Sequence, residues 1–532
     1  TLSLHRAILL EQDTDSATAY ALYQHVKRTL ESEHDVETLR MHTRSALEDE
    51  IRDLQGVLCA VGAENRLNEL RSHALNCINT TRSVCRVRQM AVRLSLQEGA
   101  HPESTLPGFN LTPLLRAVVQ GDTGLGRTLV DAGVSVNYQR MSDGLTPLYA
   151  AAREGHVDLA GMLVEAGADV DQEYKRGGEA PLLAAASQGH SEVVGLLLDA
   201  GANVDHCRCE DGVTPLHAAA SEGHLDVAAA LVAAGADVNR MRNDHGATPV
   251  YVAAQNGHSK MVALLAAAGA DVNRARASDG STPMYAASCS GEAEVAAALV
   301  AAGAEVNKGP SVNRVTPLHM AAHKRHTGVA RVLVKAGADV NCGRAEYGVT
   351  PLVIAAQSGC AEIARLLLEA GADANQACTD DGATPLHMAS YNGHTTTARV
   401  LVASGADVNS RCTKDGVSPL LIAVQNGNAD MVGLLLEGGA DVNQGCEHDG
   451  VTPLIMAAQN GRVEIASMLI TEGANVNQAS NDTGATPLFL AVLKGHDEVA
   501  RILVEAGAES VDAHPDYRIR CQNAQRGSSR KA

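Results

Sequence analysis

Seven histidines recur at one position of a 34-residue spacing, which is the pattern to test first for metal chemistry. They are His156, His190, His224, His258, His326, His394 and His496. Neighbours in this series should lie about 10 Å apart if each spacing is one packed layer. Two nitrogens on one zinc, each at about 2.1 Å, must be within about 4.2 Å of each other. The spacing therefore predicts structural histidines that hydrogen-bond to turn backbone, and no metal site.

The cysteines also lack a geometry for chemistry. Cys378, Cys412 and Cys446 share one position of the same spacing. Their Cα atoms are expected too far apart for the roughly 4.4 to 6.8 Å that a disulfide needs. Cys207 and Cys209 have no matching second pair, so a zinc site has little support there. The sequence predicts neither a metal nor a cofactor.

Catalytic signatures are missing from the sequence as well. There is no nucleophile with a base at a readable spacing, no glycine-rich phosphate loop and no pair of acids outside the repeated pattern. The 49 glycines are explained by helix ends and turns. We therefore expect that the chain is not an enzyme.

The elements that carry these residues follow from the prolines. Twelve of 16 prolines keep a strict 34-residue spacing: Pro113, Pro147, Pro181, Pro215, Pro249, Pro283, Pro317, Pro351, Pro385, Pro419, Pro453 and Pro487. An alanine from Ala117, a leucine from Leu129 and a glycine from Gly133 recur in the same register. Counted from Phe109, twelve repeats cover 109–516.

One repeat, 211–244, can be interpreted residue by residue. Thr214 and Pro215 are typical of a helix start, because the hydroxyl accepts a free amide and proline loses no hydrogen bond at the first position. Gly223 is typical of the helix end that follows. A second helix is expected from about Leu225 to Gly235, burying Val227, Leu231 and Val232. The remaining residues predict a projecting turn.

Composition then fixes how the helix pairs pack. Aromatic residues make up only 2% of the chain and tryptophan is absent, so small side chains must form the core. A single helix pair exposes an apolar side that only a neighbouring pair can cover. The sequence therefore predicts an all-α solenoid of stacked antiparallel helix pairs.

Here the residues resemble a known family. The segments DGVTPLHAAASEGHLDVAAALVAAGADVN at 211–239 and DGATPLHMASYNGHTTTARVLVASGADVN at 381–409 are similar to ankyrin repeats in their TPLH, GH and GADVN signatures. The period is 34 rather than 33, and the extra residue falls in the projecting finger. The resemblance implies a right-handed solenoid that binds partner proteins in a concave groove and has no catalysis of its own.

The two ends of the chain lack the repeat spacing. Residues 1–74 have amphipathic stretches typical of a helical region, and 75–108 are interpreted as a degenerate capping repeat because Gly99 lies 34 residues before Gly133. An unrelated helix with the same ending is the alternative. The tail 517–532 has five basic residues and no acid, and is expected to be disordered.

Hydropathy, cysteine use and net charge indicate the compartment of the protein and the partners it can bind. No apolar run reaches the roughly 18 residues of a membrane helix, so no membrane span is expected. Scattered cysteines and the lack of a leader pattern favour an intracellular protein, cytoplasmic first and nuclear second. The chain opens on Thr1, from which we expect a fragment of a longer protein. The net charge of −19 argues against a nucleic-acid partner.

Repeat seven, 313–346, departs most from the common pattern. Arg314 replaces a finger glycine, and Arg325 replaces the helix-end glycine of the other repeats. The stretch 306–338 contains six basic residues and no acid. We expect Arg314, His323, Lys324 and Arg325 to form an anion-seeking contact for an acidic segment of a partner. The alternative is that these charges are solvated and merely reduce repulsion along an acidic chain.

Tyr391 is a second candidate for partner binding. It occupies a groove-facing position where other repeats often have glutamine, and aromatic side chains often dominate interfaces. Incidental exposure of a single tyrosine is the alternative. The expected function is a protein-interaction scaffold or adaptor; the alternative is the targeting or substrate-recognition arm of a larger enzyme, a kinase or a ubiquitin ligase.

Overall fold

The computed structural model describes residues 112–175, 177–310 and 313–509. The helical region predicted for 1–74, the capping repeat predicted for 75–108 and the tail predicted for 517–532 lie outside these ranges. Twelve helix pairs occupy the described chain. The predicted all-α architecture of paired helices is therefore confirmed.

Each pair begins with a helix whose first residue is one of the regularly spaced prolines. The first six pairs are α1 (Pro113–Val119), α2 (Thr123–Asp131), α3 (Pro147–Glu154), α4 (Val157–Glu165), α5 (Pro181–Gln188), α6 (Ser191–Asp199), α7 (Pro215–Glu222), α8 (Leu225–Ala233), α9 (Pro249–Gln255), α10 (Ser259–Ala267), α11 (Pro283–Ser290) and α12 (Ala293–Ala301). The other six pairs are α13 (Pro317–Lys324), α14 (Thr327–Lys335), α15 (Pro351–Ser358), α16 (Ala361–Glu369), α17 (Pro385–Tyr391), α18 (Thr395–Ala403), α19 (Pro419–Asn426), α20 (Ala429–Glu437), α21 (Pro453–Gln459), α22 (Val463–Thr471), α23 (Pro487–Lys494) and α24 (Asp497–Glu505).

Local sequence explains these bounds, as α7 shows. Thr214 precedes the helix in an extended conformation, and its Oγ1 accepts a hydrogen bond from the backbone N–H of His217 at 3.3 Å. Pro215 takes the first helical position, where a missing N–H removes no bond. Gly223 ends the helix in the left-handed region at φ 79°, which glycine adopts without a Cβ penalty. The predicted helices of this repeat are confirmed.

Small side chains form the core, as predicted. The twelve alanines that begin with Ala117 and the twelve leucines that begin with Leu129 are at most 1% exposed. A methyl side chain lets two helices approach closely, and a larger one would force them apart. The prediction that Val232 is buried was wrong: it is half-buried, because it lies at the rim of the stripe that Val227 and Leu231 bury on α8.

The described chain forms two compact units. The first runs to Ala253 and includes Ala267–Ala270, and the second comprises Ala254–Ala266 and the chain from Asp271. In the first unit α1, α3, α5 and α7 contact one another in sequence, as do α2, α4, α6 and α8. In the second unit the odd-numbered helices from α11 to α23 do the same, and so do the even-numbered helices from α12 to α24. Within each unit, neighbouring pairs therefore cover one another.

A finger, the loop from a second helix to the next first helix, is held by an amide. In the finger after α14, Asn341 Nδ2 donates to the carbonyl of Gly371 at 3.2 Å, and Asn341 Oδ1 accepts from the N–H of Asp373 at 2.8 Å. Between 112 and 509, leaving out the undescribed residues, β-structure is limited to an isolated bridge of Tyr174 with Glu179. No helix in the described ranges is long and apolar enough to cross a membrane.

Candidate functional site

The repeated histidines are structural. His190 Nε2 donates to the carbonyl of Arg153 at 3.1 Å, and His394 Nε2 does the same to Gln357 at 3.1 Å. His224, His326 and His496 make the equivalent bond. A backbone bond is thus found for five of the seven, but its acceptor lies at the end of the first helix of the preceding repeat rather than in a connecting turn. Among the residues that the structure describes, no group of three potential ligands could hold a metal ion.

Burial makes two of the finger cysteines poor nucleophiles. Burial raises the pKa of Cys378 to about 11, and burial also raises the pKa of Cys412 to about 11. Cys446 donates its thiol to the carbonyl of Asp415 at 2.8 Å. Every cysteine within the described ranges is free. Because the thiolate is the reactive form, burial opposes chemistry at Cys378 and Cys412.

A second set of histidines, in the TPLH signature, binds the repeats together. His217 Nδ1 pairs with the Thr214 hydroxyl at 2.8 Å, and its Nε2 donates to the carbonyl of Ala247 at 3.1 Å. His319 and His387 do the same in their repeats. Burial lowers the pKa of His217 and of His319 to about 4. Sequence reasoning missed this role, although the recurring threonine three residues before each histidine indicates it.

The two unusual arginines of repeat seven have left-handed backbones. Arg314 has φ 50° and Arg325 has φ 64°, the region that glycine occupies in the equivalent positions of most repeats. A side chain there costs about 1 kcal/mol or more. Arg314, His323, Lys324 and Arg325 are all exposed. The exposure and the backbone conformation agree with the sequence-based expectation, while anion binding stays a prediction.

The structure divides these four residues between the two ends of α13. Arg314 precedes the helix, whereas His323 and Lys324 lie in its last turn and Arg325 caps it. Eight helical residues separate the ends by about 12 Å. They form a row suited to an extended segment rather than a pocket for one anion. The positive charge of Lys324 acts on Cys289 of repeat six, whose pKa burial raises.

Arg325 is accommodated by a second change one repeat further on. At Gly291 and Gly359, an added Cβ would lie 2.7 and 2.6 Å from the ring of the histidine 35 residues later. The residue 35 positions after Arg325 is Cys360, which is smaller than histidine and 7% exposed. Repeats seven and eight thus carry an arginine and a cysteine where repeats six and seven, and repeats eight and nine, carry a glycine and a histidine. The matching 35-residue offset was available in the sequence but was not recognised.

Tyr391 is separate from the cations of repeat seven. It is the last residue of α17, its side chain is 67% exposed, and its carbonyl accepts a hydrogen bond from Asn426 Nδ2 at 2.8 Å. It belongs to repeat nine, two repeats after Arg325, which is about 20 Å at 10 Å per layer. A single side chain of a partner cannot contact both, but an extended segment can.

A finger arginine that sequence reasoning missed lies near this row. Arg140, Arg208, Arg242, Arg276 and Arg344 share one register of the repeat. The first four pair with aspartates. Arg344 forms no ion pair within the described residues, and its Nε is buried without a hydrogen-bond partner. Of these five arginines, it is the one that pairs with no acid of the described residues.

Stacked helix pairs with polar fingers define the class: a helical repeat protein. A family model described as "Ankyrin repeats (3 copies)" matches residues 84–174, 171–242, 239–310, 307–378, 371–446 and 439–513. The chain therefore belongs to the ankyrin repeat family, whose members generally serve as protein–protein interaction modules. A search of curated proteins found no match.

Proposed function

We propose that this chain is a protein-interaction scaffold or adaptor, and that repeat seven contacts an acidic segment of its partner. Ankyrin repeats are generally interaction modules, which supports a protein partner. The net charge of −19 opposes binding to nucleic acid.

The row of exposed cations on repeat seven carries the proposal. Arg314, Lys324 and Arg325 form no ion pair with described residues. Two of them keep a left-handed backbone that disfavours any side chain. Unpaired charges held at strained backbone positions support a role in binding, because such strain is concentrated at functional sites. An acidic partner segment along α13 would be steered by these charges.

The test is affinity capture from the source cell followed by mass spectrometry, with the full chain as bait. Reversal of Lys324→Glu with Arg325→Glu should reduce recovery of the specific partner severalfold. The wild-type complex should weaken as salt rises. Reversal of Arg331→Glu with Lys335→Glu is the matched control, because both residues are exposed on α14 of the same repeat and the charge change is the same. Equal recovery with both double variants would rule out the proposed contact.

The same surface would serve the substrate-recognition arm of a larger enzyme. In that case the captured protein would be modified by a kinase or ubiquitin ligase joined to this segment. The complete open reading frame distinguishes the two forms of the proposal.

A further inference from the structure

Finger arginines in this chain normally bind an aspartate of their own finger. Arg276 pairs with Asp279 through two bonds, Nε to Oδ1 at 3.1 Å and Nη2 to Oδ2 at 2.6 Å. Arg208 pairs with Asp211 in the same way, at 2.9 and 2.5 Å. Two parallel bonds between a guanidinium and a carboxylate give both strength and fixed geometry. An arginine paired with the aspartate three residues later is therefore the usual arrangement at this position of the repeat.

Arg344 pairs with none of the positions whose acids serve its counterparts, and two of these positions no longer hold an acid. Tyr347 stands three residues on, where the aspartate would be. In the preceding finger, Asn313 stands where Asp211 stands relative to Arg242. Glu346 corresponds to Asp244, the other partner of Arg242. Glu346 instead accepts a hydrogen bond from Asn313 Nδ2 at 3.3 Å.

The guanidinium of Arg344 is therefore half-buried without compensation. Burial lowers its pKa, whereas hydrogen bonds to aspartates raise the pKa of Arg140 and of Arg208. Its Nε is buried and has no hydrogen-bond partner. A charge withdrawn from water without a partner is costly in free energy. Arg344 therefore carries a half-buried charge with no acidic partner among the described residues.

On the side of Arg344 that faces the first helices, the neighbouring groups are positively charged or neutral. Its positive charge acts on His319 and on Tyr285, whose own pKa values are set chiefly by burial. Arg314 lies close to the site in the backbone, since the carbonyl of Asn313 accepts a hydrogen bond from the N–H of Ala345 at 3.0 Å. Asp339 acts on Cys342, two residues before Arg344, but its carboxylate caps the N–H of Asn341 at 3.0 Å. An incoming carboxylate would meet two arginines.

We propose that Arg344 is a carboxylate-binding residue that takes a glutamate or aspartate side chain from an acidic segment of a protein partner. The partner's carboxylate occupies the place that an aspartate of the chain fills beside Arg140, Arg208 and Arg276. This inference rests on the proposed function and extends it from the exposed cations of α13 to a defined pairing site. Tyr347, which is 56% exposed and has a left-handed φ of 66°, occupies the sequence position of the missing aspartate.

The experiment uses the full chain and a fluorescein-labelled oligoglutamate peptide, with binding followed by fluorescence anisotropy at low and high salt. Tyr347→Asp supplies the missing internal partner and should weaken binding at least tenfold, as should Arg344→Gln. Tyr347→Asn is the matched control, because asparagine has the shape of aspartate, tolerates the left-handed φ of 66° and carries no charge. Arg331→Gln controls for loss of one exposed cation in the same repeat.

The outcomes separate this inference from the proposed function. Weak binding by Tyr347→Asp and Arg344→Gln, with near wild-type binding by both controls, is the expected result. If the peptide still binds these two variants but not the double reversal of Lys324 and Arg325, the Arg344 site is wrong and the proposed function stands. Equal losses in Tyr347→Asp and Tyr347→Asn would also overturn the site. No binding by the wild-type chain would overturn it as well, and the capture comparison would then decide the proposed function alone.

Discussion

The fingers that hold Arg208 and Arg344 place the same side chain in the same register and treat it differently. Arg208 Nη1 binds Glu179 at 2.7 Å, and its other nitrogens bind Asp211. Asp211 also receives Arg242 at 3.3 Å. This finger is closed by internal ion pairs. For Arg344, Val315 stands in the place of Glu179 and Tyr347 in the place of Asp211.

The difference shows where a repeat protein can acquire specificity. The buried alanines and leucines are common to all twelve repeats, because each must fit its neighbour. The aspartates that pair with finger arginines lie outside this core, so replacing one of them leaves the packing of the helices intact and frees an arginine. Stability is the role of the Arg208 finger, and recognition is the role we assign to the Arg344 finger.

Acid should cause the largest loss of stability. Its pH dependence tests whether burial or the neighbouring arginine lowers the pKa of the histidines in the TPLH signature. The folded pKa of His217 and of His319 is about 4, below the ordinary value of about 6.5. The folded state therefore binds fewer protons in this window, and stability is lost as pH falls through it. Between neutral pH and about pH 5, each histidine should lower the free energy of unfolding by about 2 kcal/mol.

Urea unfolding at the two pH values measures this loss. His319→Val, which copies Val353 of the next repeat, should remove the contribution of that histidine. His217→Val should behave alike, although Arg242 has acid partners and Arg344 has none. A much larger acid sensitivity at His319 than at His217 would mean that the unpaired arginine, rather than burial, controls the titration.

The next largest effects on stability are expected at the end of α13, where substitutions of Arg325 and Cys360 should depend on each other. Cys360→His should cost about 1 to 3 kcal/mol beside Arg325, because a ring then meets a Cβ. With Arg325→Gly, the same histidine should be accepted and add about 1 kcal/mol through its bond to the preceding repeat. A double-mutant cycle in urea measures the coupling. Independent effects of the two substitutions would contradict the pairing.

The sequence predicted the helices because each boundary depends on neighbouring residues, such as Thr214 and Pro215 at a start and Gly223 at an end. It also predicted the exposed cations of repeat seven. It did not reveal the Arg344 site, because pairing there depends on distances between residues 29 to 31 positions apart as well as within one finger. The separation of Arg314 and Lys324 was not predicted either, because it depends on the length of α13, which lies between them.

Breaking the closed finger should have a moderate effect. Asp211→Asn keeps the shape of the side chain but removes the charge that Arg208 and Arg242 share. Side-chain exposures of 31% for Arg208 and 19% for Asp211 allow solvent screening, so the expected loss is about 1 to 2 kcal/mol. Asp279→Asn is the control, because Asp279 is 42% exposed and should lose less. Similar losses at both sites would show that the shared pair adds nothing.

Supplying an internal ion pair to Arg344 should give the smallest change in stability, and this change should be an increase. Tyr347→Asp should raise the free energy of unfolding by about 0.5 to 1 kcal/mol relative to Tyr347→Asn, because only the charged side chain can pair with Arg344. Both variants relieve the tyrosine from its left-handed φ of 66°, so their difference isolates the ion pair. Raising the salt concentration should shrink that difference. If the two variants unfold at the same urea concentration, Arg344 is not poised to accept a carboxylate in this place.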